Sequence, residues 1–282
     1  MARIVLGHRD GALATRLARN VLTDLTAEWP DLQLVPRTVK GASGTEPDPV
    51  LEALASGAIG LAVVACETLQ SPLPDGLSLV AVTRRLEPRL ALVTKGAAAL
   101  EDLPPDATVG VGAARDLPFV QAGFPGMRLE TIGTDVDRAL AQLATGELDA
   151  FVLSASTLIM MDRRDHARTL LEPEVLPPAP GQGSLALIAR NEDDLAAEVG
   201  YTLQHRPSFD RVSAERAFAA ALPGRALGAL ATVDSEGELQ LFGAAAVGGT
   251  TLQASISGDA REASELGSEL GKDVAGQLAA LG

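Results

Sequence analysis

The chain has a single cysteine, which stands in a short group of residues able to do chemistry. Cys66 is followed by Glu67 and Thr68, and the three come directly after an apolar run at residues 60–65. A thiolate is a strong nucleophile that can hold a covalent intermediate, and a carboxylate can transfer protons. A lone cysteine after an apolar strand is more often a small core residue, so both roles stay open for Cys66. We take Cys66, Glu67 and Thr68 as the candidate catalytic residues.

Two arginines follow apolar runs that we predict to be strands. Arg9 comes after residues 4–6, and Arg115 comes after residues 108–111. A guanidinium beside a strand-to-helix turn suits a carboxylate or a phosphate, because its paired donors add to those of the helix N-terminus. The same position also suits an arginine that caps a helix or bridges two loops. Arg9 and Arg115 are our candidate contacts for a small anionic ligand.

The segment at residues 177–183 is rich in proline and places Gln182 between Gly181 and Gly183. Prolines fix φ and lack a backbone donor, whereas glycines permit positive φ and the close approach of another backbone. The pattern predicts a crossover or hinge that leads into a strand at residues 185–188, although it also fits an ordinary Gly-Pro loop. We take Gln182 as a third candidate ligand-binding residue.

The histidines and the cysteine do not suggest a metal site. His8, His166 and His205 are far apart in the sequence and lack the spacing of zinc ligands. One cysteine excludes a cysteine-based zinc cluster and an intrachain disulfide framework, and it suits a reducing compartment. We therefore expect no metal.

The composition argues against several classes of partner. The 282 residues include 37 acidic and 23 basic ones, for a formal charge of −14. Such a chain repels phosphate backbones and anionic lipids, so we expect neither nucleic acid nor a membrane as a partner. No apolar run is long enough to span a bilayer and no export segment stands at the start, which leads us to expect a cytoplasmic protein. We also expect a monomer.

Strand-like apolar runs alternate with segments of helical apolar spacing through the first two thirds of the chain, as in an α/β protein. This β-α alternation begins again near residue 108, which predicts two α/β lobes in series with a cleft between them. Residues 206–282 differ: a helix, three strand-like runs with hairpin signals and a closing helix predict a small α+β domain. We assign residues 1–93 and 181–205 to lobe 1, residues 94–180 to lobe 2, and residues 206–282 to the third domain.

Five short motifs, in order along the chain, resemble those of hydroxymethylbilane synthase, also called porphobilinogen deaminase. They lie at residues 7–14, 85–89, 146–150, 178–183 and 215–218. The resemblance covers the whole chain and implies two periplasmic-binding-protein-like (type 2) lobes with a small α+β C-terminal domain. It also implies a transferase of tetrapyrrole biosynthesis that carries a covalent dipyrromethane cofactor.

The sequence departs from the family pattern at the residues that do the chemistry. The family attaches dipyrromethane to the cysteine of a Gly-Gly-Cys-x-x-Pro loop, and we place Ala226 at that cofactor-anchor position. The family's catalytic aspartate corresponds to Thr68, which cannot carry charge near neutral pH. Glu67 is one residue away and would face the opposite side of a strand. The resemblance therefore implies that the dipyrromethane is absent.

The family's carboxylate-binding cations are also reduced. Arg9 and Arg115 match two of them, but Asp116 matches another, and the lysine-rich loop is shortened to residues 40–49. Loss of those cations would leave a growing polycarboxylate chain without compensating charge. We therefore expect a small anionic ligand, which could be pyrrolic.

The sequence leads us to predict a divergent hydroxymethylbilane synthase-like protein that lacks classical porphobilinogen polymerisation and binds this ligand between its lobes. One alternative is an active hydroxymethylbilane synthase in which Cys66 supplies the tether and Glu67 the acid. Another is a non-catalytic regulatory partner of a tetrapyrrole or secondary-metabolite enzyme, acting through its acidic surface.

Overall fold

The computed structural model describes residues 2–41, 48–69 and 71–281 of the chain. The strands in these ranges are Arg3–Arg9 (β1), Gln33–Val39 (β2), Leu61–Ala65 (β3), Leu77–Val82 (β4), Leu90–Thr94 (β5), Thr108–Val111 (β6), Arg128–Thr131 (β7), Ala150–Ser154 (β8), Thr169–Leu170 (β9), Leu185–Arg190 (β10), Leu227–Val233 (β11), Glu238–Val247 (β12) and Thr250–Asp259 (β13). The α-helices are Ala12–Glu28 (α1), Pro49–Ala55 (α2), Leu117–Gly123 (α3), Val136–Thr145 (α4), Ala155–Met160 (α5), Asp194–Tyr201 (α6), Arg206–Ala220 (α7) and Ala263–Leu281 (α8).

The chain divides into two compact units. The first combines Met1–Leu86 with Ser184–Val212, and the second combines Glu87–Gly183 with Ser213–Gly282. The segment that we assigned to a third domain therefore groups with the second α/β sheet over most of its length. The connections between the units fall after Leu86, Gly183 and Val212.

The first unit is built on a five-stranded sheet in the order β2-β1-β3-β10-β4. Strand β1 is parallel to β2 and β3, whereas β10 is antiparallel to both of its neighbours. Four consecutive residues of β3 are buried, because apolar clusters cover both faces of the sheet. Helix α1 buries Ala18, Val21 and Leu25 on one face, as its helical spacing predicts.

The second unit contains a similar sheet, in the order β7-β6-β8-β5-β9. Strand β6 is parallel to β7 and β8, and β5 is antiparallel to β8. We had placed β5 at the end of lobe 1, but its pairing with β8 puts it in this second sheet. The local pattern of β5 could not reveal this, because its partner lies about 60 residues further along the chain.

The second unit also contains the antiparallel sheet β11-β12-β13. Its turns use Gly237, Gly248 and Gly249, all at positive φ, as the hairpin signals predict. One face packs against α7 and α8 in a single apolar cluster. Gly243 on β12 is required by that packing, because a Cβ there would lie 2.6 Å from the ring of Phe218. The predicted fold class, two α/β lobes and a small α+β sheet domain, is confirmed.

His205, which precedes α7, gives the first testable prediction. Burial lowers the pKa of its imidazole, and the charges of Arg84 and Arg211 lower it further. The unfolded chain therefore takes up this proton at a higher pH than the folded chain, so the contribution to stability is present above about pH 6.5 and is lost as the pH falls through the folded pKa. A ¹H–¹⁵N NMR titration should give a pKa below 6.5, and Arg84→Gln should raise it. An unchanged value in that variant would contradict the electrostatic part of this explanation.

Candidate functional site

The three candidate catalytic residues form one turn of 3₁₀ helix, at Cys66–Thr68, directly after β3. Cys66 is only 1% exposed and belongs to an apolar cluster that includes Leu54, Val64 and Leu69. Its backbone N–H donates to the carbonyl of Ser184 at 2.9 Å, which fixes the turn against β10. The thiol of Cys66 is therefore a packed core group.

Glu67 and Thr68 point in different directions from Cys66. Glu67 is partly buried, and Thr68 is exposed. The hydroxyl of Thr68 donates to the carbonyl of Ala65 at 3.0 Å, a local bond that closes the turn. We had expected a strand here, with Glu67 and Thr68 on opposite faces. That expectation is wrong, because successive side chains of a 3₁₀ turn are rotated by about 120° rather than 180°.

Arg9 lies at the end of β1 and forms an ion pair with Asp48. Asp48 is the N-cap of α2: its Oδ1 accepts from the N–H of Val50 at 2.8 Å, and its Oδ2 accepts from Arg9. The carboxylate is 4% exposed, so the arginine supplies the charge that compensates a buried anion. In this structure Arg9 therefore bridges β1 and α2, one of the two roles that its position suggested.

Each nitrogen of the Arg115 guanidinium donates to a partner in the second unit. Its Nε donates to Asp116 at 2.7 Å, while Nη1 and Nη2 donate to the carbonyls of Leu227 and Pro177. Its Cζ also lies 5.6 Å from the centre of the Phe119 ring. Arg115 thus clamps the start of β11 to the proline segment, and this geometry gives no support to a role in ligand binding.

The segment at residues 177–183 has the predicted backbone: Gly181 and Gly183 have φ of 81° and 87°. Gln182 is 5% exposed, and its side chain holds the segment in place. Its Nε2 donates to the carbonyl of Pro88 at 2.5 Å, and its Oε1 accepts from the N–H of Ala179 at 3.3 Å. Both of these contacts lie within the second unit, and they give no support to a role in ligand binding.

Ala226 lies immediately before β11, where its carbonyl accepts from the N–H of Ala246 at 3.1 Å. Its side chain packs against the apolar core of the second sheet. Strand β11 then passes so close to the proline segment that a Cβ on Gly228 would lie 2.3 Å from Pro177. The only thiol of the chain is that of Cys66, so no residue of the loop at 222–228 could form a thioether. The loop at 222–228 therefore does not fit the family's mode of dipyrromethane attachment.

Sequence reasoning missed Asp48 and Glu215. An Asp-Pro pair before an apolar helix is typical of an N-cap with proline in the first turn, so Asp48 carried a readable signal. Glu215 is fully buried, and its two carboxylate oxygens accept from the N–H groups of Gly181 at 2.6 Å and Ala231 at 2.7 Å. The sequence did indicate Glu215, because it lies three residues before Phe218 and so on the core-facing side of the helix. A carboxylate buried there needs hydrogen-bond partners.

The described residues offer neither a membrane-spanning helix nor a cluster of metal ligands. None of their helices has the length and apolar character required to cross a membrane. Within the same ranges, no three His, Cys, Asp or Glu side chains are grouped so that they could hold a metal ion.

Comparison with solved structures finds binding proteins at low similarity. A periplasmic substrate-binding protein from Coxiella burnetii is 14% identical, with a TM-score of 0.47 over 72% of this chain and 92% of that one. A putative methionine-binding lipoprotein from Bacillus subtilis is 11% identical, with a TM-score of 0.46 over 71% of this chain and 88% of that one.

Comparison with sequences is more specific. Residues 4–198 match the family model described as porphobilinogen deaminase, dipyromethane cofactor binding domain. The porphobilinogen deaminase of Thermus thermophilus is 40% identical over 97% of this chain and 96% of its own length. That of Deinococcus radiodurans is 33% identical over the same shares of the two chains. The chain therefore belongs to the porphobilinogen deaminase family.

Proposed function

We propose that this chain is a non-polymerising member of the porphobilinogen deaminase family, which carries no covalent dipyrromethane and does not build a pyrrole chain. The observation that carries the proposal is the burial of the only thiol, which is 1% exposed. A thioether to a dipyrromethane requires a thiolate that the cofactor can reach.

The packing of the turn opposes such a bond. A two-ring substituent on the sulfur would have to replace close-packed neighbours such as Leu54 and Leu69. Attachment at Cys66 would therefore require the turn to unfold.

Thr68, which stands at the position of the family's catalytic aspartate, also argues against the family's reaction. Thr68 offers a neutral hydroxyl that already donates to Ala65, and it cannot balance the cationic pyrrole intermediate of the family's reaction. Glu67 is the nearest carboxylate in sequence. Its side chain leaves the turn in a different direction from that of Thr68.

An active enzyme is the second candidate, and it is favoured by the 40% identity to a relative named porphobilinogen deaminase. It would require Cys66 and Glu67 to take over the tether and the acid. Only the active enzyme would contain a thioether bond between Cys66 and a dipyrromethane.

The intact mass of protein purified from a haem-producing host distinguishes them. We expect the wild type to have the mass calculated from its sequence. Cys66→Ser should likewise have the mass calculated from its own sequence. A family member with the Gly-Gly-Cys loop, purified in parallel, shows that the host supplies the cofactor. An added mass of two pyrrole units that maps to Cys66 would overturn the proposal.

We further propose that the protein binds a small carboxylate or phosphate through Arg9. The guanidinium is 15% exposed and is shared with Asp48, which limits the affinity. A saturating ligand should raise Tm by about 3 °C at roughly ten times its Kd, and added salt should weaken this effect. Arg9→Gln should abolish the shift. Arg3→Gln, which removes an exposed cation from the same strand, is the matched control.

Thermal-shift screening of acetate, succinate and phosphate against the three proteins tests the role of Arg9. Equal shifts in the wild type and Arg9→Gln would show that the anion binds elsewhere and would leave Arg9 with its structural role alone.

A further inference from the structure

The start of α7 carries a group of cations that the candidate site described above does not use. His205, Ser208 and Arg211 are three residues apart, so they follow one face of the first turns of this helix. The segment after β4 contacts the same face, because the backbone N–H of Arg85 donates to the hydroxyl of Ser208 at 2.8 Å. The charges of Arg84 and Arg211 both act on the imidazole of His205. All of these residues belong to the first unit.

The two arginines of this group are not neutralised by the protein. Within residues 2–41, 48–69 and 71–281, no carboxylate forms an ion pair with Arg84 or Arg211. The Nε of Arg211 is buried and has no hydrogen-bond partner in those ranges. The adjacent acid on α7, Asp210, is already paired with Arg206 at 2.7 Å. Buried donors are normally satisfied, so this arrangement is typical of a place that accepts an anion.

The imidazole of His205 is held in an orientation that leaves one nitrogen for a ligand. Its Nδ1 lies 2.8 Å from the hydroxyl oxygen of Ser208, a fully buried residue. That oxygen has two lone pairs, so it can accept from the N–H of Arg85 and from the Nδ1–H of a protonated imidazole at once. Among the described residues, none forms a hydrogen bond with Nε2 of His205. Protonation therefore adds a positive charge and leaves the Nε2–H as a donor to a ligand.

We propose that Arg84, His205 and Arg211 bind a tetrahedral oxyanion, sulfate or a phosphate group, when His205 is protonated. Such an anion accepts from several donors at once, and the paired N–H groups of arginine suit it. The positive end of the α7 dipole lies on the same side. The net charge of −14 opposes an anion at long range, so we expect a Kd on the order of 1 mM that rises with ionic strength.

A ¹H–¹⁵N NMR titration of His205 with and without sulfate tests the site. Sulfate keeps its charge over the range in which the imidazole titrates, so the pH dependence reports the protein alone. Binding that requires the proton must raise the pKa of His205, because proton and anion are linked. At constant ionic strength we expect a rise of about one pH unit, which means that sulfate binds about tenfold more tightly to the protonated form.

Substitutions separate this site from a general effect of salt. Arg84→Gln and Arg211→Gln should each raise the Kd for sulfate at least about tenfold at weakly acidic pH. His205→Asn keeps a polar side chain but no charge, and it should remove the pH dependence. Arg19→Gln, which removes an exposed arginine of α1 in the same unit, is the matched control and should leave the Kd unchanged. Arg9→Gln should also leave it unchanged, which separates this site from the one proposed at Arg9.

Inorganic phosphate and methyl phosphate, compared at one weakly acidic pH, distinguish a free ion from an esterified ligand. Binding of either supports the proposal, and the tighter of the two names the source. At neutral pH, where the imidazole carries no proton, the site should add little to the thermal shifts expected at Arg9. A His205 pKa that stays constant up to sulfate on the order of 100 mM would overturn the proposal. So would equal sulfate binding by the wild type and folded Arg84→Gln.

Discussion

Purified protein supplied with porphobilinogen should produce no more hydroxymethylbilane than a protein-free control. The family's reaction needs a tethered primer and a carboxylate, and here the thiol is buried while the aligned residue is Thr68. General acid catalysis is typically worth about 10²–10⁴-fold, and one electrostatic contact at the reacting centre about 3 kcal/mol. Loss of both, together with the anchor, should leave no turnover above background. Turnover is measured from the consumption of porphobilinogen and from the uroporphyrin that forms after acid oxidation.

Two variants make this prediction specific. Thr68→Asp restores a carboxylate at the position of the family's acid and should stay inactive, because no primer is held. Glu67→Gln should change nothing. Steady turnover by the wild type that Glu67→Gln abolishes would refute the non-polymerising proposal and assign the acid role to Glu67.

Replacing Glu215 should cause the largest loss of stability among the substitutions that we consider. Glu215→Ala leaves the buried N–H groups of Gly181 and Ala231 without their acceptor, at about 1–3 kcal/mol for each group. We expect the free energy of unfolding of the second unit to fall by about 3 kcal/mol or more, measured by denaturant titration with circular dichroism. Glu215→Gln keeps one acceptor oxygen and removes a buried charge, so its cost should be smaller.

The control for Glu215 is Glu269→Ala, which removes an exposed glutamate from α8 in the same unit and should cost less than about 0.5 kcal/mol. Hydrogen exchange separates the local effect from a general loss of stability. The amides of Gly181 and Ala231 should lose protection in Glu215→Ala first. If both amides keep their protection in that variant, the carboxylate does not hold the proline segment to β11.

The sequence by itself determined most of the order of strands and helices, because the periodicity of apolar residues and the turn chemistry are local properties. It did not place α5, β9 or α6. It placed β13 and the turns at Gly237 and Gly248, and it identified Gly181 and Gly183 as positions of positive φ. The family also followed from short motifs alone, and the matches to the family model and to named relatives confirm it.

Only the tertiary structure decided what the candidate side chains contact. Nothing near Arg115 in the sequence indicates the carbonyls of Leu227 and Pro177, and Arg9 meets Asp48 only because β1 and α2 pack together. The two roles that the sequence left open for Cys66 depend on its exposure, which the packing of α2 and β10 against β3 sets. A partner's identity depends on which distant segment approaches, and a one-dimensional pattern does not contain that information.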